Sequence, residues 1–272
     1  MHASTRPAGS RPAPREVAVI GDVHGCADAL RRLLDRIDVV AAGAKVVLVG
    51  DLLTKGQDPS GVVEVLSGGW GSRAGFEFDS VCGNHDLRMR AALRAISLGT
   101  PQENLAPIER RCITRLQSAG RAEVARVLLD RIATQVELEV DGATVLHAGI
   151  DPARGRARTP AELKWSIKAR RGERPWWDRY HGDDGLLVFG HKPLEEPLRR
   201  RARGRVAAVN VDTGCADGGR LTAYLVGSDR FVSVAAEPER LVLSFTPASA
   251  ALAASGRQAA SVARARRPAH SA

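Results

Sequence analysis

The sequence predicts an α/β fold, and three patterns carry that prediction. Short apolar runs with strand character, EVAVI, KVVLV, ATVL and GLLVF, each stop at a polar island containing Gly and His or Asp. Segments with the apolar spacing of a helix follow the first islands. Beyond residue 191 the chain turns to strand-like runs, VAAVNVD, RLTAYLV, FVSVAA and LVLSF.

EVAVI ends at GDVHG (21–25), and the ADALRRLLDRI behind it repeats apolar residues at Leu30, Leu33, Leu34 and Ile37, one face of a helix. KVVLV ends at GDLLTKG (50–56), and PSGVVEVL then places Pro59 where a helix starts. After GNHD (83–86) the chain is polar and alanine-rich, helical by propensity from Leu87 to about Leu98. Two more helices are expected between about Leu105 and Ile132, one with Ile108, Cys112, Ile113 and Leu116 on a face, the other with Val124, Val127 and Leu128. The acid-alternating QVELEV leads through the turn Asp141-Gly142 into ATVL, a hairpin signal, and ATVL ends at HAG (147–149). GLLVF ends at GH (190–191). No internal repeat and no second domain are visible.

The islands set Asp22, His24, Asp51, Asn84, His147 and His191 in one chain order, with His85 and Asp86 beside Asn84. In an α/β sheet the loops at the carboxyl ends of strands build the site, so these oxygen and nitrogen donors are expected to converge. Mixed carboxylate, imidazole and amide donors suit borderline or hard divalent ions. The chemistry that needs two such ions is attack on a phosphate ester, whose negative charge repels the nucleophile until cations offset it. Cys26, Cys82, Cys112 and Cys215 have no CxxC spacing, which argues against a closed structural zinc and for free thiols.

On these islands the chain resembles the calcineurin-like metallophosphoesterase superfamily, within it the phosphoprotein phosphatase branch. Its motifs are most similar to those of bacterial symmetrical diadenosine tetraphosphatases and their eukaryotic relatives. NVDTGCADGGRLTAYLV (210–226) looks like the closing strand pair of the same branch. The resemblance implies two facing mixed β-sheets flanked by helices. It implies two divalent ions, manganese first with iron, cobalt or zinc as alternatives. Asp22 and His24 would bind the first ion, Asp51 would bridge, and Asn84, His147 and His191 would bind the second. His85, oriented by Asp86, would protonate the leaving group, and Asn84 would also contact substrate; Lys55 and Lys192, both departures from the family pattern, are this chain's own candidates for substrate contact.

Departures from the family pattern bear on the substrate. Phosphoprotein phosphatases usually carry DRG in the second island and an arginine before GNHE. Here Thr54, Lys55 and Gly56 stand in the first place and Cys82 in the second. A lysine supplies a point charge where arginine supplies a planar fork. That change counts against phosphoserine, while GNHD followed by Leu87 and HAGI (147–150) in place of HGG look more like diadenosine tetraphosphatases and so imply nucleoside polyphosphates such as diadenosine tetraphosphate. A serine/threonine protein phosphatase and an RNA-end or polyphosphate hydrolase or binder are the alternatives.

At 272 residues with 44% apolar content the chain can bury a proper core. Its net charge of +9 is uneven. Residues 1–15 and 251–272 hold seven arginines and no acid, which leaves +2 for residues 16–250. The expected organisation is therefore a phosphoesterase domain over 16–248 between disordered basic tails, 1–15 and 249–272. Weak nucleic-acid contact is a possible use of such tails, and solvated ends are the plainer reading. No apolar stretch spans a bilayer and the start lacks a secretion signal, so the expectation is a cytoplasmic protein with no membrane partner.

Two basic clusters lie inside the domain. Arg199, Arg200, Arg201, Arg203 and Arg205 read as a solvated loop. Residues 154–179, held between His147 and His191, carry nine Lys and Arg residues and read as a wall meeting a polyanionic substrate. The same stretch, with Tyr180 just after it, brings Trp165, Trp176 and Trp177, which either stack on a nucleobase or pin the segment to the body.

Overall fold

Alternation along each strand explains how the layers form. In β1 (Val17–Ile20), Val17 and Val19 face one way and Ala18 and Ile20 the other, all four buried. A strand buried on both faces must sit between two layers. In the computed structural model, which describes residues 16–68, 78–167 and 172–237, those layers are a second sheet on one side and helices on the other.

The first sheet has the order β11-β10-β1-β2-β3, built from β2 (Lys45–Leu48), β3 (Phe78–Ser80), β10 (Arg220–Leu225) and β11 (Arg230–Ala235). The short β9 (Asp212–Thr213) also pairs with β10. Strands β1, β2 and β3 run parallel, and β10 is antiparallel to β1. The second sheet has the order β4-β5-β6-β8-β7, from β4 (Glu137–Val140), β5 (Ala143–Leu146), β6 (Leu187–Phe189), β7 (Leu198–Ala202) and β8 (Arg205–Asn210). Here β5, β6 and β8 are parallel, with antiparallel edges. Val19, Val47 and Val49 of the first sheet share one core with Val145, Val188 and Val209 of the second.

On the outer face of the first sheet lie α1 (Ala27–Val40), α2 (Pro59–Leu66), α3 (Asn84–Ser97), α4 (Pro107–Ser118) and α5 (Ala122–Ile132). Helix α1 buries Leu30, Leu33, Leu34 and Ile37, the face its spacing predicts. Helix α2 starts where expected, with Pro59 in its first turn and the Asp58 carboxylate accepting from Gly61 N at 2.7 Å. The outer face of the second sheet is covered by the short α7 (Trp176–Arg179), whose Trp176 packs on Phe189. The short α6 is Ala161–Trp165. The two facing mixed sheets flanked by helices are those expected.

Two readings of the sequence are corrected. Helix α5 buries Ala125, Leu128, Leu129 and Ile132, whereas Val124 and Val127 are exposed. The arginine run is an edge strand, β7, with Arg199 and Arg201 exposed and Arg200 half-buried. Alternating positive charge there keeps a free sheet edge from pairing with another chain. The island GNHD also follows a strand, β3, as the first two islands do, although Asp79 and Ser80 interrupt the apolar character that strand recognition relies on. The tails, residues 238–248 with the run LVLSF, and Lys168, Arg170 and Arg171 lie outside the described residues. No described helix is long and apolar enough to cross a membrane.

Candidate metal centre

Every island leaves the carboxyl end of a parallel strand, so the polar side chains of two sheets meet at one edge of the sandwich. Asp22 follows β1, Asp51 follows β2, Asn84 follows β3, His147 follows β5 and His191 follows β6. Ligand atoms of Asp22, His24 and Asp51 lie within 4.8 Å of one another, and so do those of Asp51, His147 and His191. Asp51 belongs to both groups. The Asn84 Oδ1 is 3.1 Å from His147 Nε2 and 2.9 Å from His191 Nδ1, which puts it in the second group.

The backbone is bent to achieve this. His24, Asp51, Lys55 and His191 all have positive φ, at 47°, 54°, 69° and 69°. Non-glycine residues hold that conformation only where the surroundings over-determine it. Gly83 and Gly190 explain part of the constraint: a Cβ on Gly83 would collide with the Asp51 carboxylate, and one on Gly190 with that of Asp22. The absent side chains let both carboxylates be gripped by backbone, with Asp51 Oδ1 accepting from His85 N at 2.9 Å and Asp22 Oδ1 from His191 N at 3.0 Å.

Histidine orientation is also fixed from behind. His147 Nδ1 lies 2.7 Å from Val49 O, so the proton belongs there and Nε2 presents its lone pair to the cluster. Thr54 Oγ1 sits 3.1 Å from His24 Nδ1 in the same supporting position. Burial holds His147 neutral, at about 4, and pushes His24 down as well, with the Lys55 charge adding to it.

The carboxylates experience the opposite strain. Burial pushes Asp51 and Asp86 to about 7 and Asp212 to about 6. Asp22 is raised by burial and then by the negative charges of Asp212 and Asp51. Lys55 relieves Asp22, Asp51 and Asp212 in part. Crowded buried carboxylates beside neutral imidazoles need cations, and the residues present fit a pair of divalent ions.

Asp86 has different partners from those expected. Its Oδ2 accepts from Asp51 N at 2.7 Å and Gly83 N at 3.0 Å, and its Oδ1 from Leu52 N at 2.8 Å. It therefore clamps the second island to the third and does not orient the His85 ring. The His85 ring stands edge-on to His24 with centroids 5.1 Å apart, and its buried Nδ1 has no hydrogen-bond partner among the described residues. Burial, then Lys55 and Arg88, lower His85 to about 4.

The sequence reading passed over Asn210 and Asp212. Asn210 donates to Lys192 O at 2.8 Å and accepts from Asp212 N at 2.8 Å, fixing the backbone after His191. The signal was available: NVD follows β8 as the islands follow their strands.

Beside His191 and Lys192 opens a cavity of about 760 Å³, walled by Leu163, Ile167, Pro175 and Trp177 among others. Among the described residues of 154–179, Leu163, Ile167 and the stretch from Pro175 to Trp177 line this cavity, but much of the segment's described charge is spent within the fold. Lys164 is buried and bonded to Glu137 at 2.7 Å, and Arg156 reaches Glu139 at 2.8 Å. Arg154 pairs with Asp151 and Arg179 with Glu173. The aromatics divide: Trp176 and Tyr180 are buried and hydrogen-bonded to Ala148 O and Gly185 O, while Trp177 is half-buried on the cavity wall.

Comparison with known proteins agrees with this geometry. The calcineurin-like phosphoesterase family matches residues 16–227. The asymmetrical bis(5'-nucleosyl)-tetraphosphatase PrpE of Oceanobacillus iheyensis is 25% identical over 252 residues, covering 85% of this chain and 96% of its own. A symmetrical bis(5'-nucleosyl)-tetraphosphatase of Edwardsiella ictaluri is 36% identical over 137 residues, 49% of this chain and 43% of its own. The crystal structure of a proposed diadenosine tetraphosphatase superposes with a TM-score of 0.61 at 24% identity, over 82% of this chain and 95% of that one.

Proposed function

The chain belongs to the calcineurin-like phosphoesterase family, and from that premise we propose that it hydrolyses nucleoside polyphosphates, diadenosine tetraphosphate foremost. The observation that carries the reading is the shared carboxylate: Asp51 joins two clusters of metal-ligating side chains within one site. In this reading Asp22, His24 and Asp51 hold one divalent ion, and Asp51, Asn84, His147 and His191 hold the other, with manganese the first candidate. Bound there, two cations acidify water and offset the charge of the phosphate oxygens.

The chain's own residues supply the rest. Lys55, exposed and close enough to depress His24 and His85, offers a positive charge to a bound phosphate. Lys192, next to His191, lines the cavity, and in this reading it meets the next phosphate of a chain. His85 carries the leaving-group proton. An anionic phosphate in front of its ring raises its proton affinity, against the lowering by burial. Asp86 holds the loops that carry Asp51 and Gly83 and takes no part in proton transfer.

Lysine in place of paired arginines, and relatives whose names include tetraphosphatases, favour the nucleotide over a phosphoprotein. Those names include both modes of cleavage. Cutting the central bridge gives two ADP, and cutting off-centre gives ATP and AMP. The test is turnover of diadenosine tetraphosphate against a phosphoserine peptide with manganese, with D51N as the blank. Faster hydrolysis of the dinucleotide is expected, and preference for the peptide would overturn the substrate assignment.

A further inference from the structure

Among the described residues the cavity beside His191 adds no second group of metal-ligating side chains, and its walls indicate what it receives. Its volume of about 760 Å³ lies within the range of small-molecule sites, roughly 300–1,000 Å³. Its lining joins His191 and Lys192, which belong to or adjoin the metal-ligating cluster, with the apolar Leu163, Ile167 and Pro175. A ligand that suits it has a charged end at the metal centre and a flat or apolar body.

Trp177 is the feature that selects among such bodies. Its neighbour Trp176 is buried and donates Nε1–H to Ala148 O at 3.0 Å, one residue from His147. Gly149 makes this possible, because a Cβ there would collide with the Trp176 indole. Helix α7 is thereby fixed to the loop that carries a metal ligand. On that fixed turn Trp177 packs against Phe189, centroids 5.4 Å apart and planes 31° apart, and remains half-buried on the cavity wall. An indole held this way loses little freedom when a flat ring stacks on it. Asp151 and Arg179, also on the wall, are paired with Arg154 and Glu173 and add polar atoms beside the indole.

We propose that this cavity is the nucleoside subsite of the enzyme, with Trp177 as the stacking platform for a nucleobase whose phosphate chain runs past Lys192 to the metal centre. The proposal rests on the phosphoesterase reading and adds where the nucleoside binds. A phosphopeptide has no flat ring to place there in general, so the subsite discriminates between the two substrate classes.

The test is calorimetric titration of the manganese-loaded full chain with ADP and with inorganic pyrophosphate, for wild type, W177A and W177F. Base stacking predicts that W177A weakens ADP binding about ten-fold and leaves pyrophosphate unchanged, with W177F close to wild type. The KM for diadenosine tetraphosphate rises in parallel. Equal loss for ADP and pyrophosphate, or unchanged ADP binding in a folded W177A, would overturn the subsite. So would a wild type that binds ADP no more tightly than pyrophosphate. In those cases turnover of the dinucleotide still decides the phosphoesterase reading by itself.

Discussion

Replacing Asp86 by asparagine separates a structural clamp from a partner in proton transfer. Its carboxylate satisfies three backbone N–H groups, two at Oδ2 and one at Oδ1. Asparagine offers one acceptor oxygen and an NH₂ group. In its better orientation it keeps the bonds from Asp51 N and Gly83 N and turns its NH₂ toward the Leu52 N–H. One buried donor is then unpaired, at about 1–3 kcal/mol, and two charge-assisted bonds become neutral ones, roughly half as strong. The sum is about 2–5 kcal/mol. For a domain of this size 1 kcal/mol shifts Tm by about 2–4 °C, so D86N should melt roughly 4–20 °C lower. Activity falls too, because Asp51 rides on the clamped loop, and excess manganese should restore part of it. Differential scanning fluorimetry with and without manganese measures the first effect and initial rates the second. If D86N melts within 1 °C of wild type and changes only the pH dependence of kcat, Asp86 acts through His85 and the clamp is wrong.

Asp51→Asn removes the charge shared by both clusters and should cut turnover at least about 100-fold while the fold persists by circular dichroism. Gly149→Ala should drive the Trp176 indole off Ala148 O. Overpacking of about 1–3 kcal/mol plus a lost hydrogen bond of about 1 kcal/mol lowers Tm by roughly 4–15 °C, and a shift under 2 °C would contradict the contact. The chelated protein should lose stability from pH 6.5 to 8. The folded carboxyls of Asp51 and Asp86 keep protons up to about 7, whereas unfolded ones ionise near 4. Their contribution is fully present below 4 and is lost as pH rises through 7, about 1–2 kcal/mol of it in this window. Between pH 4 and 6.5 the depressed His85 and His147 act in the opposite sense, so the trend is sought above 6.5. Fluorimetry in EDTA should show a falling Tm there, and manganese should stabilise more at pH 8 than at 6.5.

The metal-ligating cluster was legible because chemistry and chain direction coincide: a polar island after an apolar strand is a loop at a carboxyl end, and parallel strands bring such loops together. Less was legible where local pattern and tertiary role part. Strand β3 is three residues with Asp79 in the middle, so no period marks it. In α5 the valines are outside and Ala125 and Leu129 inside, since the direction of the core, not hydrophobicity alone, decides which face turns in. The arginines of β7 read as loop because an exposed edge strand carries the composition of one. The resemblance pairs Asp86 with His85, but consecutive residues on a helix point apart, and the Asp86 carboxylate turns back to the helix N-terminus. The split between Trp176 and Trp177 was beyond any sequence signal, being set by one hydrogen bond to Ala148.

The central claim is that one carboxylate joins two metal sites. Electron paramagnetic resonance of the chain titrated with manganese to two equivalents tests it most directly. A spin-coupled pair that forms in wild type and is lost in D51N is the predicted result. Saturation at one ion, or two ions with uncoupled spectra in wild type, would contradict it.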